Sequence, residues 1–487
     1  MRAARSTAPP KQIYMKLGKG ARFVGFHVPS ECPEPVVGAC AEAQFVWSST
    51  ISISDAFQSF VNNLALDNDG QISTRYGEIT RALNLKFRST DSRSSNNLQV
   101  GSYGRVTAIK GISDLDMLYI MPAGKWVTYN VVGGQYRILR DTADAISERY
   151  PTTDVRVDGL VVRVLYSNFH VEVQPVFKQD DGSFLYPHTR NGGSWKRTKP
   201  QEEIDAIRKG DADKNNNLRR LCKMIRAWKN KHGVAMGGLL IDTLAHKFLH
   251  QTNDYDDKSY MHYDWMVRDF FAYIKELPKQ ESFAALGSGQ RVKVKKNFQT
   301  KAKRAHDLVL KAIAAEQNNN RNEKWRLIFG RAFPPAPNAV RKAVLTEGMF
   351  QARNTEQFIE DQYPVDIRYN LSLECEVTQY GFQTRFLRAM QNALLPLRTK
   401  KSLRFFVSDT DIPNNDFKLY WKVLNRGPEA IKRDTIRGQI FKDGGKMEQV
   451  EKTNFEGDHI VEAYAVKNGT VIAKDRIHVT ISPGVDL

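Results

Sequence analysis

The stretch "GSYGRVTAIKGISDLDMLYIMP", residues 101–122, decides how the chain is read. A glycine-serine pair follows a short strand-like run, "LQV", and two aspartates then open the apolar run "MLYIM". In an extended strand positions i and i+2 share a face, so Asp114 and Asp116 project together while Leu115 and Met117 enter the core. Two carboxylates side by side repel one another unless a cation lies between them. The D-x-D spacing alone is weak evidence, because paired acids more often mark a solvated strand edge. The apolar run behind them argues for an interior strand with acids at its open end. At Gly101 a glycine lets backbone N–H groups approach a phosphate, and the Ser102 hydroxyl adds a donor, so this turn is suited to a triphosphate.

A third carboxylate lies in "NFHVEVQPVF", residues 168–177. Alternation there buries Val171, Val173 and Val176 and turns His170, Glu172 and Gln174 to the other face, which lets Glu172 join the aspartates from a neighbouring strand. Three hard oxygen donors suit Mg²⁺ or Mn²⁺ held jointly with substrate phosphates, as two-metal phosphoryl and nucleotidyl transfer requires. Downstream, "NNLRRLCKMIRAWKNKHG" places Leu218, Leu221, Cys222, Ile225 and Trp228 on one helical stripe and Arg219, Lys223, Arg226 and Asn230 on another. Such a basic face is commonly just solvated. The functional reading has Lys223 and Arg226, one turn apart, reaching triphosphate oxygens across a cleft from Ser102.

Composition limits the partners. The 487 residues carry a formal charge of +18, which attracts polyanions such as nucleotides, nucleic acid or anionic lipid. Cys32, Cys40, Cys222 and Cys375 are too scattered for a zinc site and too few for a disulfide framework, which suits a reducing cytosol. No apolar run approaches the roughly 18 residues of a membrane span, so the expectation is a soluble, cytoplasmic protein. Residues 1–48 carry Arg2, Arg5, Lys11, Lys16, Lys19 and Arg22 with no acid before Glu31, and read as a basic, disordered extension.

From "SISDAFQSFVNNLAL" the pattern is helical, then rich in short strands ("MLYIM", "VRVDGLVVRVLY", "FHVEVQPVF"), then helical again to the proline cluster "FPPAP". Beyond it, "SLRFFV", "FKLYWKVLN", "IRGQIF", "HIVEAYAV" and "TVIAKDRIHVTI" read as strands, with Asn468 and Gly469 marking a tight hairpin. The basic run "RVKVKKNFQTKAKRAH" reads first as a solvated helix face, and only secondarily as a site for an activating polyanion.

The order G-S, S-D-x-D, "VEV" and basic helix resembles the polymerase-β-like nucleotidyltransferases. More narrowly, residues 50–335 are similar to the bacterial cyclic GMP-AMP synthase/DncV-like (SMODS type) enzymes. The resemblance implies an α+β fold with a nucleotidyltransferase palm and a helical lobe, the active site lying between them. Residue by residue it assigns Gly101 and Ser102 to the phosphate-binding turn, Asp114, Asp116 and Glu172 to the metals, and Lys223 or Arg226 to the triphosphate. In "GGLLIDTL", Gly237 and Gly238 replace the serine-aromatic pair of many relatives. "YPVDIRYNLSLECEV", "YWKVLNRGPEAIKRDTIRGQI" and "HIVEAYAVKNGTVIAKDRIHV" resemble the adenylyl/guanylyl and SMODS C-terminal sensor domain (AGS-C), a small all-β unit implied to bind a nucleotide-type ligand. There Trp421 would stack on a base, with Arg426, Arg433, Arg437 and His459 on phosphates, although such an aromatic is more often core and such arginines are more often solvated.

The expected division is an extension over 1–48, palm over 49–215, helical lobe over 216–345 and sensor over 346–487. The expected activity is metal-dependent condensation of nucleoside triphosphates into a cyclic or linear oligonucleotide messenger in anti-phage defence, read by a downstream effector. It needs no membrane and no stably bound nucleic acid. The alternatives are a toxin that modifies a protein or RNA acceptor and a catalytically silent nucleotide sensor; the intact acid trio speaks against the latter.

Overall fold

Apolar residues at a helical period open the chain. In α1 (Ile53–Asn63), Ala56, Phe57 and Phe60 are buried, and the Ser52 hydroxyl caps the helix by accepting from Asp55 N at 3.0 Å. This computed structural model describes residues 52–316, 318, 320–336 and 356–482; the expected extension, with Cys32 and Cys40, lies outside them.

The next elements are α2 (Asp69–Arg88), β1 (Asn97–Gln99), α3 (Gly101–Gly104), β2 (Asp114–Ile120), α4 (Trp126–Tyr129) and α5 (Gly134–Arg149). There follow β3 (Asp154–Asp158), β4 (Val161–Leu165), β5 (His170–Lys178), β6 (Phe184–His188) and β7 (Ser194–Thr198). Together these strands form a mixed sheet of order β1-β2-β5-β4-β3, with β6 and β7 continuing from β5. Only β2 and β5 are parallel neighbours in it. One face is covered by α2 and α5, where Ile72, Ile79 and Ile138 pack with Leu115, Met117, Val171 and Val173. Val176 is also buried, but on another cluster with Val100, Leu118 and Phe184. The two faces of β2 and β5 are therefore covered unequally along their length, and the acids lie at the less covered end.

Helices α6 (Pro200–Asp213), α7 (Asn217–His232), α8 (Gly238–His250), α9 (Tyr263–Glu276), α10 (Gln299–Ile313) and α11 (Arg321–Phe329) form a second core, with a small hairpin of β8 (Ser282–Ala284) and β9 (Arg291–Lys293) before α10. The expected apolar stripe of α7 is buried throughout. Although α1 precedes the sheet in sequence, it packs here: the Phe57 ring meets Trp325 at 5.0 Å and Phe333 at 5.3 Å, both edge-on.

The C-terminal strands are β10 (Leu371–Thr378), β11 (Arg385–Phe386), β12 (Ser402–Thr410), β13 (Lys418–Leu424), β14 (Arg437–Lys442), β15 (Glu448–Lys452), β16 (Gly457–Lys467) and β17 (Thr470–Ile481). They make two four-stranded antiparallel sheets, β11-β10-β12-β15 and β14-β13-β16-β17, whose inward residues alternate as in a sandwich. Leu371, Leu373, Cys375 and Val377 of β10 share one core with Leu419, Trp421 and Val423 of β13. Lys467 pairs with Thr470 across Asn468 and Gly469, the tight hairpin expected from sequence.

A buried charge cluster joins the sheet to the helices. Asp242 of α8, 0 % exposed, accepts from Arg226 Nη1 of α7 at 2.6 Å and from Arg105 Nε, just after α3, at 2.8 Å. Burial works against its ionisation, but the two guanidiniums hold its carboxyl down at about 2. Its folded pKa lies below the ordinary value, so its stabilisation is present above about pH 4 and is lost as pH falls through 2. Asp242→Asn is expected to cost about 3–5 kcal/mol, because it leaves buried guanidiniums without a counter-charge. Denaturant unfolding at pH 7 checks this, and the gap between variant and native protein should narrow near pH 2.

Candidate active site

The parallel pairing of β2 with β5 sets Asp114 opposite His170 and Asp116 opposite Glu172. Leu115, Met117, Val171 and Val173 are all buried, so a one-residue slip would drive the acids into the core, and the register is firmly specified. Asp116 and Glu172 thus stand side by side on adjacent strands.

The glycine-serine pair opens the short helical turn α3. Val100 N donates to Asp116 O at 3.0 Å, which pins the turn to β2. Gly101 has φ +64°, and a Cβ there would overlap Asp116 Oδ2, so glycine is required both by conformation and by space. Gly101, Ser102, Asp114, Asp116, Glu172 and Arg226 line one cavity of about 610 Å³, with Gly237 and Gly238 also on its wall.

Lys223 is not brought to this cavity. It lines another, of about 520 Å³, with Leu98, Tyr103 and Ile204. Arg226 reaches the acids' cavity, but its donors are committed to Asp242 and to Gly238 O at 3.1 Å. The α7 cation that faces the acids without that tie is Lys229, one turn beyond Arg226, with Nζ 2.8 Å from Asp366 Oδ1. Helical spacing from Arg226 would have found it. The run "RVKVKKNFQTKAKRAH" departs from a single helix face: it forms β9, a loop and part of α10. Lys295 Nζ donates to Arg368 O at 3.0 Å and Lys296 pairs with Asp409 at 3.0 Å.

The acids are electrostatically costly as they stand. Loss of water, then the charges of Asp114 and Glu172, push the Asp116 carboxyl up to about 7 against the pull of Arg105 and Arg368. Burial likewise raises Asp114, opposed chiefly by Arg368. Glu172 is held below its ordinary value despite burial, by its contact with His170 Nε2 at 3.3 Å and by the charge of Arg163. Among the described residues no three acid, imidazole or thiol side chains are gathered closely enough to enclose a metal ion as they stand. The donor chemistry nevertheless fits a divalent cation: three hard oxygen groups on neighbouring strands, crowded together with little water to offset their charge.

Two sequence families account for most of the described chain. The profile of the Second Messenger Oligonucleotide or Dinucleotide Synthetase (SMODS) domain matches residues 51–210, and that of the Adenylyl/Guanylyl and SMODS C-terminal sensor domain matches residues 353–482. The chain carries a SMODS domain followed by an AGS-C domain. A sequence comparison with curated proteins finds no match. Solved structures that resemble it include CdnC of E. coli MS115-1 with ATP, at 15% identity and TM-score 0.43, aligning 58% of this chain with 98% of that one. Apo DncV of Vibrio cholerae aligns at 12% identity and TM-score 0.42 over 58% and 80% of the respective chains. CdnG of Bradyrhizobium diazoefficiens with GTP aligns at 11% and 0.42 over 61% and 98%.

Within the AGS-C domain the candidate ligand residues are engaged in its own structure. Trp421 is 0 % exposed in the sandwich core and its indole donates to Asp443 Oδ1 at 2.8 Å, so it is not placed to stack on a base. Arg437 pairs with Glu451 at 2.7 Å and Arg433 with Glu429 at 3.1 Å. Gly427 and Gly438 approach the backbone at Gly457 and Glu356. His459 is buried beside the Phe455 ring, and Arg426 is exposed. One residue of this cavity that sequence reading missed comes from the AGS-C segment: Arg368, whose Nη2 lies 2.5 Å from Asp114 Oδ1.

Gly101→Ala is expected to lower the melting temperature, because a side chain at φ +64° is strained and its Cβ overlaps the Asp116 carboxylate. Thermal unfolding of the variant beside the native protein checks this.

Proposed function

We propose that this protein is a metal-dependent nucleotidyltransferase that condenses nucleoside triphosphates into a cyclic or linear oligonucleotide messenger, releasing pyrophosphate, in anti-phage defence. The observation that carries the reading is the in-register pair Asp116 and Glu172, with Asp114 two residues away, beneath a glycine-serine turn that presses on Asp116. On this reading residues 49–215 are the palm, 216–345 complete the cleft and 346–487 are the sensor. CdnC of E. coli MS115-1 is solved with ATP, CdnG of Bradyrhizobium diazoefficiens with GTP and DncV of Vibrio cholerae with a linear pppA(3',5')pG, and triphosphates are the substrates proposed here.

Asp114, Asp116 and Glu172 would hold Mg²⁺ or Mn²⁺, which when bound supplies charge neutralisation at the leaving pyrophosphate and a lower pKa at the attacking ribose hydroxyl. The chain's own part is positioning. Gly101 and Ser102 cradle the triphosphate through backbone N–H groups and a hydroxyl, and Lys229 offers a cation on the facing wall. His170 and Arg163 keep Glu172 ionised and oriented. An acid of the trio is the group within reach of the hydroxyl proton.

Incubation with four labelled nucleoside triphosphates and Mg²⁺ or Mn²⁺, then phosphatase and mass spectrometry, is expected to leave a resistant oligonucleotide. Label on protein or added RNA would instead establish acceptor modification. Glu172→Gln keeps size and hydrogen bonding but removes a charge, so turnover should fall by orders of magnitude with triphosphate binding retained. Asp114→Ala with Asp116→Ala should abolish incorporation in a protein that melts at or above the native temperature, because it relieves like-charge crowding. Full synthesis by that folded double variant would overturn the proposal.

A further inference from the structure

The segment that leads into the C-terminal sandwich is held from two sides. On one side it runs beside β17: Val471 N donates to Pro364 O at 2.9 Å, Asp366 N to Val471 O at 3.0 Å and Arg368 N to Ile472 O at 2.8 Å. On the other, Asn230 of α7 brackets it, donating to Val365 O at 2.7 Å and accepting from Ile367 N at 3.1 Å. Ile367 between them is 0 % exposed. The alternation of an extended chain then turns Asp366 and Arg368 the same way, into the acids' cavity.

There the charges alternate. Lys229 pairs with Asp366 at 2.8 Å, Asp366 with Arg368 Nε at 2.8 Å, and Arg368 Nη2 with Asp114 Oδ1 at 2.5 Å, while the same guanidinium nitrogen donates to Ser113 Oγ at 3.0 Å. A guanidinium so placed supplies the positive charge that a gathered pair of aspartates needs. It also takes a carboxylate oxygen that a divalent cation would use, and its charge repels that cation.

We propose that Arg368 is a tethered cation, delivered to the active site by the C-terminal domain, that competes with the divalent metal for Asp114. The proposal rests on the metal-site reading above. Metal binding requires the guanidinium to release Asp114, and the backbone carrying it is paired to β17. The C-terminal domain therefore sets the apparent metal affinity through the fraction of molecules in which Arg368 is withdrawn.

The test is Mn²⁺ binding to the full chain, read from the paramagnetic resonance of free Mn²⁺ in the presence of a non-hydrolysable triphosphate analogue. Arg368→Ala should bind Mn²⁺ about tenfold more tightly than the native protein, whose apparent dissociation constant is the intrinsic one divided by the competent fraction. Arg368→Gln, which keeps a polar side chain for Ser113 and Asp366, should do the same, and Arg368→Lys should stay close to native; thermal unfolding identifies any variant that is not folded. Asp114→Ala should lose the tight binding with or without the arginine. Unchanged or weaker Mn²⁺ binding in folded Arg368→Ala and Arg368→Gln, with Asp114→Ala still defective, would overturn the competition and leave the metal site standing. A raised triphosphate KM with unchanged Mn²⁺ affinity would also overturn it, by making Arg368 a phosphate ligand. Absence of Mn²⁺ binding in every variant would remove the metal site and the competition together.

Discussion

The parallel pairing of β2 with β5 is the constraint on which the site depends. It is the one parallel contact in a sheet otherwise built of antiparallel neighbours, and it brings Asp116 and Glu172, 56 residues apart in sequence, into direct lateral register. What fixes that register is apolar: Leu115, Met117, Val171 and Val173 fill one side, and any slip by one residue exchanges them with carboxylates. The acids are crowded because the core leaves them no other face.

Crowded carboxylates demand positive charge, and the protein meets this demand unevenly. Glu172 is served locally by His170 and Arg163 and stays ionised. Among the described residues Asp116 has no such immediate partner, and burial with the charges of Asp114 and Glu172 pushes its carboxyl up to about 7. Arg105 and Arg226, which sit nearby, are drawn to the fully buried Asp242 instead, where they join the sheet to the helices. The cluster that stabilises the cleft thus takes basic groups away from ligand contact.

The C-terminal sandwich enters the same balance. Its leading segment places Asp366 and Arg368 beside Lys229 and Asp114, so that one alternating chain of charge runs from α7 through the C-terminal domain to β2. An AGS-C domain so arranged is physically continuous with the SMODS cleft.

The local pattern by itself determined most of the elements. Period-two alternation marked β2, β4, β5 and the sandwich strands, period 3.6 marked α1 and α7, and Asn468 and Gly469 marked their hairpin, because each depends on neighbours in sequence. The D-x-D spacing and the valine alternation around Glu172 likewise placed the acids on the strand faces opposite the apolar core. The tertiary structure alone decided what those faces meet. It put α1 in the helical core rather than on the sheet, sent Lys223 to a different cavity, tied Arg226 to Asp242 and buried Trp421. It also brought Arg368 to Asp114 from 254 residues away in sequence. A helical stripe specifies which residues share a side, but the partner of a charge is chosen by whichever opposite charge the packing brings within reach in a site with little water, and that choice is made between segments far apart in the chain.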